Sequence, residues 1–246
     1  MTLDGGELAP GSSGYVQLRL ESPAVARRGD RFILRSYSPQ RVIGGGMILD
    51  PDAPKLKMHA AAPVRERLKA LAEGAAADVV VACAAAGGSA GFPVSSLERY
   101  GLARNGIAAL VKDLADRGAL VPIEGRVFES RVVSDTARSL VSMIETMSAE
   151  NKLLWGVDRE ELRERSSLRA GPLFDFLMEE GRRRGTLFFK GGRVRAGSGE
   201  RELSAADEKA LAALEKRVRE AGLEFAVKAD LLAIVRDEKR LVSYLH

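Results

Sequence analysis

Cysteine occurs once in these 246 residues, at Cys83, which excludes an intramolecular disulfide framework and any metal site built on cysteine clusters. A lone thiol suits a reducing compartment, and a cytoplasmic protein is expected. Histidine occurs twice, His59 in a linker and His246 at the end, and neither falls into a metal-ligand spacing or beside a nucleophile. No apolar run reaches the roughly 18 residues of a membrane helix. The start, MTLDGGELAPG, lacks the basic and apolar regions of an export signal, so no membrane partner is expected. A P-loop is absent too: Gly44-Gly45-Gly46 runs into Met47 and GGSAG (87–91) into Phe92, where GxxxxGK[ST] would need its lysine. The paired carboxylates Glu160-Glu161, Glu179-Glu180 and Asp237-Glu238 lie among arginines on helical stretches, the pattern of solvated ion-pairing faces. No catalytic or metal-binding residue is assigned, and this chain is not expected to be an enzyme.

Aromatics make up only 5% of the chain, so its cores must be built on Leu, Val and Ala, as suits several small domains. The single tryptophan, Trp155 in KLLWGV, fits a core position, an interface plug or a base-stacking platform. Cys83 reads as a small buried residue. The formal charge of +4 permits a nucleic-acid partner without demanding one. The basic excess is local: Arg163 to Arg195 holds nine basic against four acidic residues.

Along the chain, YVQLRL (15–20), RFILR (31–35) and VIGGGMIL (42–49) are strand-like, with turns at ARRGD and SPQ. Three or four strands in 1–51 rarely stand alone, so they are expected to belong to a larger barrel. Residues 52–62 form a proline-broken linker. A helical texture follows: a helix from Pro63, AAADVVVACAA (76–86) as helix rather than strand, a short helix capped by Ser95 or Ser96, and an amphipathic helix capped by Asn105 and carrying Ile107, Leu110, Val111 and Leu114. Gly118 stops it, and ALVPIEGRVFESRVV turns back near Glu124-Gly125 as a hairpin. This order defines a winged-helix unit at 63–130.

The order repeats at 131–197. GALVPIEGRVF (118–128) aligns without gaps on GTLFFKGGRVR (185–195), five of eleven positions identical at an offset of 67, the signature of duplicated small domains. A third unit, 198–246, opens with Ser204 and Asp207 as a capping box, continues through KADLLAI (228–234) and RDEKRLVSYLH, and stops before its wing. The expected fold is mainly α with small β: tandem winged helices after a partial antiparallel β-barrel. The chain is expected to be a piece of a longer protein, shortened at both ends.

Candidate phosphate contacts sit in the second unit: Arg163, Arg165 and Arg169 on its short helix and turn, Arg182, Arg183 and Arg184 at the end of its second helix, and Arg193 and Arg195 on its wing. The same arginines could instead answer a helix dipole or pair with Glu164, Glu179 and Glu180. Gly44, Gly45 and Gly46 read as a barrel bend or bulge that lets another backbone approach, with tRNA proximity a second reading.

The stretch LAPGSSGYVQLRLESPAVARRGDRFILRSYSPQRVIGGGMILDP (8–51), followed directly by the helical array, resembles the end of the third, β-barrel domain of the bacterial selenocysteine-specific translation elongation factor. The resemblance implies a GTP-dependent factor that delivers selenocysteinyl-tRNA to the ribosome at UGA codons. GTP and magnesium belong to a GTPase domain outside this chain, so no cofactor is expected here. A selenocysteine insertion hairpin of the mRNA would be held mainly by a fourth winged helix, also outside this chain. The present residues would form the arm between the tRNA-carrying barrel and that tip, expected as a monomer. The competing classes are a tandem winged-helix DNA-binding regulator and a protein-only scaffold.

Overall fold

The computed structural model describes residues 7–54, 61–150, 154–168, 171–197, 205–221 and 228–235. His59, His246, Arg169, the Ser204 cap and the expected final helix after residue 235 lie outside the described residues. The chain is mostly helical with small antiparallel sheets, and packing divides it into two compact units, Met1–Val133 and Ser134–His246.

The first unit begins with β1 (Arg31–Arg35) and β2 (Val42–Met47), paired antiparallel with Phe32 opposite Gly46, Ile33 opposite Gly45 and Leu34 opposite Gly44. Arg35 then faces Val42, which leaves Ile43 as the extra residue of a bulge. The glycines themselves lie in the regular ladder, and none has a positive φ. Their service is spatial. A Cβ on Gly46 would stand 2.8 Å from the Phe32 ring and one on Gly45 2.7 Å from the Phe32 carbonyl oxygen, whereas Gly44 has open space. The expected strand at 15–20 is reduced to a single bridge at Val16, because no neighbour continues the ladder among the described residues.

The helical part of this unit runs α1 (Ala61–Glu73), α2 (Ala76–Gly87), β3 (Phe92–Pro93), a 3-10 helix (Val94–Tyr100), α3 (Arg104–Asp116), β4 (Leu120–Ile123) and β5 (Arg126–Glu129). AAADVVVACAA is helical because α2 is the buried centre: Val79, Val80, Cys83 and Ala84 pack among Leu71, Leu97, Tyr100, Ile107, Val111, Leu120 and Val127. Two caps differ from expectation. Pro93 enters the 3-10 helix and Ala103 enters α3, neither with a side-chain bond, so Ser95, Ser96 and Asn105 fall inside the first turns. The fixed φ of Pro93, −65°, pre-sets its turn without a hydroxyl cap. The hairpin β4–β5 turns on Glu124 and Gly125 with φ of 45° and 74°, as a two-residue turn with both centres left-handed requires. β3, which sequence periodicity does not reveal at two residues, completes the sheet in the order β3-β5-β4.

The strand segment is tied to these helices. Leu49 packs on the core. The Arg28 amide donates to the Arg99 carbonyl at 2.8 Å, and the Arg28 side chain donates to the Leu71 carbonyl. The Asp50 carboxylate accepts the Tyr100 hydroxyl at 2.6 Å and faces Arg67 Nη2 at 2.8 Å. Burial pushes the neighbouring Cys83 thiol up to about 12 and, with the bond to Asp50, raises the Tyr100 hydroxyl.

α4 (Ser130–Glu150) crosses from the first unit into the second, which continues with β6 (Val157–Asp158), α5 (Arg159–Arg165), α6 (Leu173–Arg183), β7 (Leu187–Lys190) and β8 (Arg193–Ala196). The sheet order β6-β8-β7 matches β3-β5-β4, and the hairpins correspond at the expected offset, Leu187 with Leu120 and Arg193 with Arg126. Leu162, Leu173, Phe174, Leu177, Met178, Leu187 and Val194 are buried, while Trp155 is half-buried. Asp158 caps α5 by accepting from the Glu160 and Glu161 amides. α7 (Ala205–Ala221) and α8 (Lys228–Val235) pack through Leu214 and Leu231.

Candidate nucleic-acid interface

The basic residues of the second unit separate into two sets with different electrostatics. On α5, Arg159 and Arg163 both donate to Asp175 Oδ1 at 2.5 Å across to the first turn of α6. Their guanidinium carbons lie 5.9 and 4.5 Å from the centroid of the buried Phe174 ring, a cation–π geometry. Burial opposes ionisation of Asp175, but the hydrogen bonds from Arg163 and Arg159 prevail and hold it below its ordinary value. Arg165 pairs with Glu161 at 2.8 Å and Glu150 at 3.4 Å. At the other end of α6, Arg182 stands 3.5 Å from Glu179 with its guanidinium 4.4 Å over the Phe189 ring. Arg183 and Arg184 share Glu180, at 2.8 and 2.6 Å. The hydrogen bond from Arg183, against some loss of solvent and helped by Arg184, brings Glu180 down to about 2. Arg163, Arg165, Arg182, Arg183 and Arg184 are therefore all paired with carboxylates of this chain. Acid at the start of α6 and base at its end also match the helix dipole.

The second set lies on the hairpin. β7 and β8 pair Phe188 with Arg195 and Lys190 with Arg193, alternating with the pairs Leu187–Ala196 and Phe189–Val194. Leu187 and Val194 are buried, so period-two alternation puts Phe188, Lys190, Arg193 and Arg195 on the opposite face. Arg193 donates from Nη1 to the Gly156 carbonyl at 2.8 Å, a neutral acceptor that brings no opposing charge. Gly156 lets the main chain of β8 come close, because at φ 113° a Cβ there would stand 2.5 Å from the Val194 carbonyl oxygen. No carboxylate partner of Lys190, Arg193 or Arg195 is found among the described residues. Three cations and one aromatic ring thus share a face, together with Asp158, which stands opposite Arg193 on β6 and caps α5; neighbours on it stand about 5 Å apart across the strands and about 7 Å along them.

Sequence reasoning named Arg193 and Arg195 but passed over Lys190, whose signal was available: the alternation of LFFK and RVRA about the turn Gly191-Gly192 puts it beside Arg193. It also could not show that the Arg182–Arg184 run is held by Glu179 and Glu180. Gly44, Gly45 and Gly46 sit in an exposed strand of the first unit, away from any helix start. Among the described residues no His, Cys, Asp and Glu group suited to a metal ion occurs, and no helix is long and apolar enough to cross a membrane.

Residues 3–55 match the family described as the selenocysteine-specific elongation factor, beta-barrel domain. The selenocysteine-specific elongation factor of Desulfomicrobium baculatum is 32% identical over 95 residues, which are 39% of this chain and 15% of that relative. The crystal structure of bacterial selenocysteine-specific elongation factor EF-Sec superposes with a TM-score of 0.54 and 19% identity, covering 89% of this chain and 35% of that one. At that identity the likeness speaks for the fold. The family model and the curated relative indicate a chain like part of a selenocysteine-specific elongation factor. It spans 15% of the length of the curated relative and about a third of the solved one.

Proposed function

We propose that this chain acts in selenocysteine incorporation as the arm of a cytoplasmic, GTP-dependent elongation factor, joining a tRNA-carrying β-barrel to an mRNA-hairpin-binding tip. The observation that carries the reading is continuity: residues 3–55 match the factor's barrel domain, and Asp50, just past their last strand, is tied to the helices that follow. In this reading residues 1–51 are barrel strands, 63–130, 131–197 and 198–246 are three winged helices, and the hairpins β4–β5 and β7–β8 are wings. The repeated sheet order supports that division. The chain itself is no enzyme; GTP and magnesium belong to the GTPase domain of the longer factor, and selenocysteinyl-tRNA, the mRNA hairpin and the ribosome are the partners.

RNA contact, on this view, is auxiliary and falls on Lys190, Arg193 and Arg195, which have no salt-bridge partner among the described residues. Fluorescence anisotropy of the 246-residue chain with a selenocysteine insertion hairpin tests it. Three phosphate contacts predict weak binding that drops about 20- to 40-fold between 50 and 200 mM salt. Tight, hairpin-specific binding by this chain alone would refute the arm role. The carboxylate pairing of Arg182 to Arg184 favours one second reading, a protein-only scaffold, in which removing the hairpin cations changes no RNA binding.

A further inference from the structure

Three side chains attach the strand segment to the first helical module, and they differ in burial. The pair Asp52–Arg99 is exposed, at 38% and 42%, and contributes little orientation. Arg28 reaches two backbone carbonyls, those of Leu71 on α1 and Tyr100 at the end of the 3-10 helix. Asp50 is the buried member, its side chain 4% exposed. One oxygen accepts the Tyr100 hydroxyl at 2.6 Å and the other faces Arg67 Nη2 on α1 at 2.8 Å. Arg67 is 16% exposed, and its Nε is buried without a hydrogen-bond partner, so Asp50 supplies the ion pair that compensates this guanidinium. A single carboxylate from the exit of the strands therefore satisfies groups on two separate helical elements, which Arg28 also spans. Few orientations of the strands keep all these bonds, because each is directional and water is excluded.

We infer that Asp50 is a positioning residue: it latches residues 28–52 to the first helical module, so that strands and module move as one body and the direction in which the array leaves the strands is set at this carboxylate. The inference concerns the mechanics of this chain and stands whether or not it acts in selenocysteine incorporation.

Double electron–electron resonance on the 246-residue chain, with nitroxides on Ile43→Cys and Lys112→Cys, measures the latch directly. Both sites are exposed, and the buried Cys83 stays unlabelled. The parent should give one narrow distance distribution, and Asp50→Asn one at least twofold broader at unchanged helical circular dichroism. Asp50→Leu combined with Arg67→Met and Tyr100→Phe separates positioning from stability. Removing both charges and the hydroxyl that Asp50 accepts restores the thermal midpoint, since the buried polar groups are replaced together by apolar ones, but leaves the distribution broad. A broad distribution in the parent, or a narrow one in the triple variant, overturns the inference. Should Asp50→Asn fail to fold, the triple variant decides.

Discussion

Single buried groups decide how the first unit responds to pH. Cys83 is fully buried in α2, and its thiol holds the proton up to about 12, against 9.0 for an ordinary thiol. Tyr100 is raised as well. A group whose folded pKa lies above its unfolded value contributes stability that is complete below the unfolded value and is lost as pH rises through the folded one. The first unit should therefore keep full stability at pH 8 and lose up to about 1.4 kcal/mol per pH unit from Cys83 alone between pH 9 and 12. Urea titrations followed by circular dichroism at pH 8, 10 and 11 would show the loss, and Cys83→Ala should flatten it. A profile unchanged by that substitution would mean the thiol does not couple to folding. The sequence made Cys83 legible as a small buried residue. It could not show that Asp50, Arg67 and Arg28 lie around it, because that juxtaposition brings together residues far apart in the chain.

At the scale of elements, the hairpin β7–β8 and the end of α6 make opposite predictions although both are arginine-rich. Charge removal at Lys190, Arg193 and Arg195 together should weaken RNA binding by tenfold or more at 50 mM salt and flatten its salt dependence. Charge removal at Arg183 and Arg184 should weaken binding less than that of the hairpin set, because both guanidiniums are held by Glu180, whose single charge offsets one of the two, while lowering the stability of α6. Equal effects from both sets would show that the pairing seen here does not govern binding. The elements themselves were well legible: the 67-residue repeat located both hairpins, whose glycine turns and alternation carry strong local signals. β3 and β6 were not, because a two-residue strand has no periodicity and exists only through its partner. The serine and asparagine caps failed because Pro93 and Ala103 stand at the helix entries, Pro93 with its fixed φ and neither with a side-chain bond.

For the whole molecule, the division into two units makes stability separable. Gly91 has a φ of 67°, and a Cβ there would stand 2.4 Å from the Phe128 ring. Gly91→Ala should therefore cost the first unit about 2–4 kcal/mol through strain and overpacking. Trp155, the sole tryptophan, belongs to the second unit and reports on it alone. In the Gly91→Ala protein the circular-dichroism melt should develop an early transition while the tryptophan fluorescence midpoint stays within 2 °C of the parent, a bound set by the roughly 4–8 °C that 1 kcal/mol moves a small domain. A fluorescence midpoint that fell in step would mean the two units unfold as one. Composition pointed to several small cores rather than one large core, because so few aromatics leave Leu, Val and Ala to fill them.

The glycine run in β2 can finally be weighed by how much each position says. Phe32 lays its ring where a side chain of Gly46 would stand, and its carbonyl occupies the corresponding place at Gly45, yet nothing crowds Gly44. The run is thus not uniform, and its three letters are not equally informative. The Phe32 ring accounts for Gly46; Gly45 answers a main-chain oxygen that any residue at 32 would carry; and Gly44 has open space. A pattern for recognising this strand pair in other chains should couple the phenylalanine to Gly46, keep Gly45 whatever stands at 32, and give the leading glycine no weight.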